Sequence, residues 1–242
     1  MFSMSRGIHF PLIATSPNFA PTMDATCNGQ FDLSVSWILK VFTMELSNPK
    51  ISVPMRQLSN YVASALRKPL PPDVAERAKV HLIDTFAAMV SGCRLLPGIR
   101  ARSYVAKLAG KREAGVVGTR IVTSAHYAAL ANGMCGHADE TDDTHPPTRS
   151  HPGTCIVPAA LAMSEREQIS GKLMLRAIVL GYDVCARTLL ALAPKPVSST
   201  YGHLFGAAAS AAALLRLDAR RVRHVFAFAG QQASGLYTRL RD

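Results

Sequence analysis

Between Gly136 and Gly153 the chain reads Gly136-His137-Ala138-Asp139-Glu140-Thr141-Asp142-Asp143-Thr144-His145-Pro146-Pro147-Thr148-Arg149-Ser150-His151-Pro152-Gly153. Four of its 16 acids fall within five residues, and three of its eight histidines flank them. Clustered carboxylates raise one another's pKa, so one of them can stay protonated near neutral pH. A histidine beside them titrates in the working range. Those are parts for general acid–base chemistry. Arg149 and a following helix start, with Ser150 as its N-cap and Pro152 in its first turn, would hold an anionic substrate.

Local physics disfavours a purely structural role for this stretch. If a helix starting at Ser124 ran on to Thr144, the acids would sit at its C-terminal end, where the macrodipole repels negative charge. Asp139 would then meet Asp142 and Asp143 at i+3 and i+4, costing ~0.2–0.5 kcal/mol per pair. His145 and His151 each precede a proline, which drives both out of the α region and makes the chain loop between them. Two other readings stand beside acid–base catalysis. One is a solvated acidic loop whose Asp residues cap helices. The other is a divalent cation on Asp142, Asp143, His145 and His151, for which no repeated ligand spacing is present. The reading adopted needs no metal and no cofactor.

The elements that must position this stretch are helical. Met55, Leu58, Val62 and Ala65 share a face. Pro71-Pro72-Asp73 opens a long helix with Val74, Ala78, Leu82, Phe86 and Val90 in register and Gly92 as its stop. Further helices are expected over about Ile99–Leu108, Ala125–Cys135, Gly153–Glu165, Gly171–Leu192 behind Ser170, Phe205–Leu217, and after Asp218. Only Gly115 to Val122 reads as extended. His81, His126 and His224 read as ordinary helix or packing residues. The fold class is all-α, and Ala207-Ala208-Ala209 and Ala211-Ala212-Ala213 imply close helix contact.

The chain has 242 residues, enough for one to two domains at ~150 residues each and for burying ~70–75% of its extended surface. It is 48% hydrophobic and 18% charged, which excludes a disordered chain. The net charge of +11 suggests nucleic acid first. However, the basic residues are spread out, and the densest set (Arg94, Arg100, Arg102, Lys107, Lys111, Arg112 and Arg120) comes with no recognition motif. The expectation is no nucleic acid, and a general attraction for anionic substrates. The five cysteines are odd in number and lack a CxxC pair, which suits reduced thiols in a cytoplasmic protein. Nothing near Cys135 or Cys155 activates a thiol. Leu33 to Leu46 is too short for a membrane span, and Leu173 to Leu192 is broken by Arg176, Asp183 and Arg187, so no membrane segment is expected. The divisions read are an N-terminal extension at 1–51, a helical domain at 52–236 and a divergent tail at 237–242.

Several segments together resemble the MmgE/PrpD family, which includes 2-methylcitrate dehydratase and cis-aconitate decarboxylase. They are Asn132-Gly133, His137-Ala138-Asp139-Glu140, Thr141-Asp142-Asp143-Thr144-His145, His151-Pro152-Gly153 and Val157-Pro158-Ala159. They continue with Gly181-Tyr182-Asp183-Val184, Ala186-Arg187, Phe205-Gly206-Ala207-Ala208-Ala209 and Gln231-Gln232-Ala233-Ser234-Gly235-Leu236. The resemblance implies a multi-helix domain followed in other members by a second, α+β domain that this chain lacks. It also implies a homodimer and metal-independent dehydration or decarboxylation of a small di- or tricarboxylic acid. It places active-site positions at Glu140, Asp142, Asp143, Thr144 and His151, the catalytic ones being His151, Asp143, Asp142 and Glu140; Thr144 and, read beside them, Arg149, His145, His203 and Asp139 are expected toward substrate. His203 lies closer to Phe205 than the family's histidine, which leaves its equivalence open; Thr141 stands where an aromatic is common and Pro146-Pro147-Thr148-Arg149-Ser150 departs from the methylcitrate form, which implies a different acid. Because the sequence stops at Asp242, ahead of the family's active-site lysine, a truncated fragment able only to associate is the alternative.

Overall fold

The computed structural model describes residues 51–108, 110–193 and 198–233. The extension read at 1–51 (apart from Ile51), the run Leu33 to Leu46 and the tail 237–242 lie outside them. Eight α-helices account for most of the described residues, with one two-stranded ribbon. The fold is the expected mostly helical domain.

The punctuation read from the sequence sets most helix ends. Helix α1 is Val53–Ser64, and the Ser52 hydroxyl accepts the Met55 amide at 3.4 Å. A 3₁₀ turn, Ala65–Arg67, follows. Helix α2 is Pro72–Gly92, with proline in its first turn and Asp73 near the positive end of its dipole. Helix α3 is Leu96–Ala106 and begins earlier than expected, because Pro97 sets φ in its first turn. Strands β1 (Ala114–Gly115) and β2 (Val122–Thr123) pair antiparallel, Ala114 opposite Thr123, and Gly118 takes φ 73° in the intervening turn.

Helix α4, Ala125–Gly136, ends there and does not continue to Thr144. Asp139, Asp142 and Asp143 therefore never share a helix face, and the repulsion foreseen for a longer helix does not arise. Helix α5 is Gly153–Arg166 and α6 is Gly171–Leu192. Helix α7, Thr200–Leu214, is shifted toward the N-terminus from the expected Phe205–Leu217. It stops because Arg216 takes φ 53° while the amides of Arg216 and Leu217 return to Ala213 and Ala212, a Schellman closure that needs one left-handed residue. Helix α8 is Ala219–Gln232, with the Asp218 carboxylate accepting the Arg221 amide at 2.8 Å. Among the described residues no single helix is long and apolar enough to cross a membrane.

The two largest apolar clusters join every helix but α3. Val62, Leu180, Val184, Ala209, Ala212, Ala213, Val222 and Phe226 join α1, α6, α7 and α8. Met89, Cys135, Val157, Ala160, Ala177, Ile178 and Leu214 join α2, α4, α5, α6 and α7. The small residues let backbones meet: a Cβ on Gly206 would lie 2.6 Å from the Gly181 carbonyl oxygen across the α6–α7 contact. Gly206→Ala is therefore expected to force these helices apart and destabilise the chain by about 1–3 kcal/mol, the usual cost of overpacking. A thermal melt followed by circular dichroism checks it, and an unchanged midpoint would contradict the packing described.

Candidate active site

Helices α2, α4, α5 and α6 surround the loop 137–152. Helix α4 ends at Gly136, and the chain turns through Glu140, which stands at φ 57°. It then extends to His145, whose amide donates to the Ser150 carbonyl at 2.8 Å, with the 3₁₀ turn Pro146–Thr148 between them. Arg149, at φ 49°, closes that turn. The loop thus carries non-glycine left-handed residues on either side of Asp142 and Asp143, backbone conformations that cost energy and cluster at functional sites.

The start of α5 differs from expectation. Ser150 is buried, and its hydroxyl sits 2.7 Å from the Thr148 hydroxyl, so it does not cap the helix. Asp143 takes that role: its Oδ1 accepts the Gly153 amide at 2.9 Å. The helix N-terminus is thus engaged by the protein's own carboxylate and not left open for a substrate.

The two adjacent aspartates face different partners. Asp142 has a fully buried side chain, and its oxygens lie 3.1 Å from His137 Nδ1. Its Oδ2 is also 3.3 Å from His151 Nδ1. His151 Nδ1 is 3.0 Å from the Asp143 carbonyl oxygen, which can only accept, so Nδ1 carries the hydrogen. Neutral His151 then presents Nε2 as a base. The His137 and His151 rings are 5.4 Å apart, and both are partly exposed. A buried carboxylate orienting imidazoles by Nδ1 is the arrangement that fixes a histidine's tautomer for proton transfer.

Asp143 is engaged at both oxygens. Its Oδ2 accepts the Tyr182 hydroxyl at 2.7 Å and lies 3.3 Å from His81 Nδ1. Tyr182 is a protonated donor, because burial and the neighbouring Asp143 charge push its phenol far above the ordinary range. His81 and Tyr182 are members that sequence reasoning missed. His81 sits in helical register with nothing in its spacing to set it apart from a packing residue, and Gly181-Tyr182-Asp183 carries no local sign of a partner in the loop. With Asp143, Thr144, His145, Ser150, Pro152, Asp183 and Cys185 they line a hollow of about 260 Å³. That is just below the ~300–1,000 Å³ of drug-sized sites, room for a small molecule, with imidazoles and two carboxylates but no lysine or arginine in its lining.

The remaining expected residues divide. Thr144 lines the hollow, and its hydroxyl is 3.5 Å from His151 Nδ1. His145 lines it too, with Nδ1 2.7 Å from the Thr148 hydroxyl. Asp139 turns away to the hydroxyls of Ser91 and Thr141, which hold its carboxyl below the usual range and keep it ionised, so it is no proton donor. Glu140 is largely exposed, 3.6 Å from His137 Nε2. Arg149 is exposed, and neither it nor His203, in the first turn of α7, lines the hollow. Cys185 is no nucleophile, since burial pushes its thiol up to about 12. Among the described residues no cluster of three or more His, Cys, Asp or Glu is placed to hold a metal ion.

Beside the hollow, the Tyr61 hydroxyl donates to Asp183 at 3.0 Å, and Asp183 also accepts from Arg187. Burial, followed by the Asp183 charge, raises the Tyr61 phenol to about 12. A raised folded-state pKa stabilises below the unfolded value of about 10. That contribution is lost as pH rises toward 12. Ultraviolet titration should therefore show a late-ionising phenol that disappears in Tyr61→Phe, and identical titration curves would contradict the contact.

A family model, the MmgE/PrpD N-terminal domain, matches residues 56–242. The chain belongs to the MmgE/PrpD family. As a member it is also similar to the cis-aconitate decarboxylase-like protein oryM of Aspergillus oryzae, at 28% identity over 193 residues. That match takes in 74% of this MmgE/PrpD chain and 40% of the relative, so the chain spans about two fifths of the relative's length. The range of the family model includes all of α2 to α8 and the whole 137–152 loop.

Proposed function

We propose that this chain carries the acid–base part of a lyase acting on a small di- or tricarboxylic acid, by dehydration or decarboxylation. The observation that carries the reading is the buried Asp142 carboxylate holding His137 and His151 by Nδ1. Family membership and the decarboxylase-like relative support the same class of chemistry.

Dehydration moves two protons. A base takes the proton from the carbon next to a carboxylate. That electron pair becomes the C=C bond as the C–O bond breaks, and the hydroxyl leaves as water with a proton from an acid. In decarboxylation the C–C bond breaks, carbon dioxide leaves, and an acid protonates the carbon that keeps the electron pair. Both reactions call for an imidazole that can give or take a proton beside a bound anion; we assign that role to His151, which stands behind Thr144 at the edge of the hollow and does not itself line it. Asp142 stabilises the imidazolium when it forms. The test is to incubate the purified chain separately with 2-methylcitrate and cis-aconitate, following water loss and carbon dioxide release. Turnover of either acid supports the reading; no turnover of both, by a folded chain, overturns it.

A further inference from the structure

The two aspartates hold imidazoles on separate carboxylates, and the hollow lies with the second. His151 and His137 engage Asp142, whereas His81 engages Asp143 and lines the hollow. We propose that His81 is a second acid–base group, exchanging a proton with a small carboxylic acid held in the hollow, while His151 serves the other proton transfer. This rests on the lyase reading above and adds to it.

The geometry around His81 is that of an oriented base. Its Nδ1 is 3.3 Å from Asp143 Oδ2, an oxygen that already accepts the Tyr182 hydroxyl, and Asp143 Oδ1 is held by the Gly153 amide. The carboxylate therefore cannot rotate away without breaking a helix cap. A hydrogen on Nδ1, which faces Asp143 Oδ2 across 3.3 Å, leaves the ring's lone pair on Nε2, for which no hydrogen bond is found among the described residues. The His81 side chain is 45% exposed while the carboxylate orienting it is 6% exposed, so a buried anchor presents an accessible ring.

The charged and titratable groups around His81 come from each neighbouring element. Arg77 and Asp84 lie on α2 itself, Asp143 and His145 on the loop, and Tyr182 and Asp183 on α6. Tyr182 stays protonated, so the groups of the hollow able to accept a proton are the imidazoles of His81 and His145 and the carboxylates of Asp143 and Asp183, and both carboxylates are already engaged, Asp143 by Gly153 and Tyr182 and Asp183 by Tyr61 and Arg187. His145 Nδ1 already faces the Thr148 hydroxyl.

In the dehydration direction His81 Nε2 takes the proton from the carbon next to the carboxylate. The C=C bond forms and the C–O bond breaks as His151, entering this step as the imidazolium balanced by Asp142, gives its Nε2 proton to the hydroxyl, which leaves as water. Solvent afterwards removes the proton from His81 and restores the one on His151. In deuterium oxide the same base exchanges the substrate C–H for C–D without completing elimination.

The test is His81→Asn, whose side-chain amide replaces the Nδ1–H donor to Asp143 but has no proton to exchange. Exchange of the C–H of 2-methylcitrate in deuterium oxide is followed by proton NMR, alongside turnover and circular dichroism. The expected result is loss of exchange by about 10²–10⁴-fold, with KM within about threefold and an unchanged helical spectrum. His81→Gln, which places its amide further out, should lose exchange equally. Exchange retained in His81→Asn, in a chain whose wild type turns over, overturns the role of His81 and leaves the lyase reading standing. A folded wild type with neither exchange nor turnover overturns both.

Discussion

His151→Ala is expected to slow turnover of the carboxylic-acid substrate by about 10²–10⁴-fold, the usual contribution of one positioned acid–base group. The helical circular dichroism should not change. His151 sits just ahead of α5 with its side chain 31% exposed, so truncating the ring opens no core cavity. The backbone around it is held independently, by the Asp143 cap on Gly153 and by the His145–Ser150 bridge. What the substitution removes is the Nε2 lone pair whose tautomer the Asp143 carbonyl and the Asp142 carboxylate set. Asp142→Asn should slow turnover through the same group, because a neutral amide cannot balance an imidazolium as a buried carboxylate does. Steady-state rates for both variants check this. Unchanged rates in His151→Ala would remove the residue from the mechanism.

Gly153→Ala is expected to damage stability and site together. A Cβ there would lie 2.6 Å from the Thr85 hydroxyl, 2.7 Å from Asp143 Oδ1 and 2.8 Å from the Tyr182 hydroxyl. Thr85 is fully buried on α2 and Tyr182 is anchored on α6, so neither can retreat without moving its helix. The easiest response is rotation of Asp143, which releases the Gly153 amide, Tyr182 and His81 at once. The expected cost is about 1–3 kcal/mol from overpacking, or about 2–4 °C in melting temperature per kcal/mol for a chain of this size. Proton exchange at His81 should also be lost. A thermal melt and the deuterium-exchange assay check the two parts, and a variant with wild-type melting and exchange would contradict the packing around Asp143.

Most of the helical frame was legible because its signals are local. Pro71-Pro72-Asp73 and Gly92 bracket α2, and the apolar period of Gly171–Leu192 gives α6 its full length. Helix α7 was misplaced because a left-handed arginine ends it, and arginine carries no marker for that conformation. Helix α4 was allowed to run long because nothing local says that a helix ends two glycines before a polar stretch.

The site was half legible for the same reason. Acids and histidines close in sequence signalled chemistry in the 137–152 loop, and Asp142 does meet His151. The pairing of each aspartate was not legible, since it depends on groups brought in by other helices. Tyr182 lies 39 residues from the Asp143 it contacts, and His81 arrives on α2 with a spacing indistinguishable from packing. Ser150 offered a better cap by type than Asp143 does by position, yet it is buried against Thr148. Family resemblance named the loop but could not show that its helix start was already engaged by a carboxylate.

The most direct test of the central claim is a titration of the ¹⁵N-histidine-labelled chain with cis-aconitate, followed by NMR. The claim is that the carboxylate–imidazole pairs of this loop meet a bound small acid. The predicted result is saturable shifts at His81, His145 and His151, with His126 and His224 on the exposed sides of α4 and α8 unmoved. Shifts confined to His126 and His224, or no saturable shift at any histidine, would contradict it.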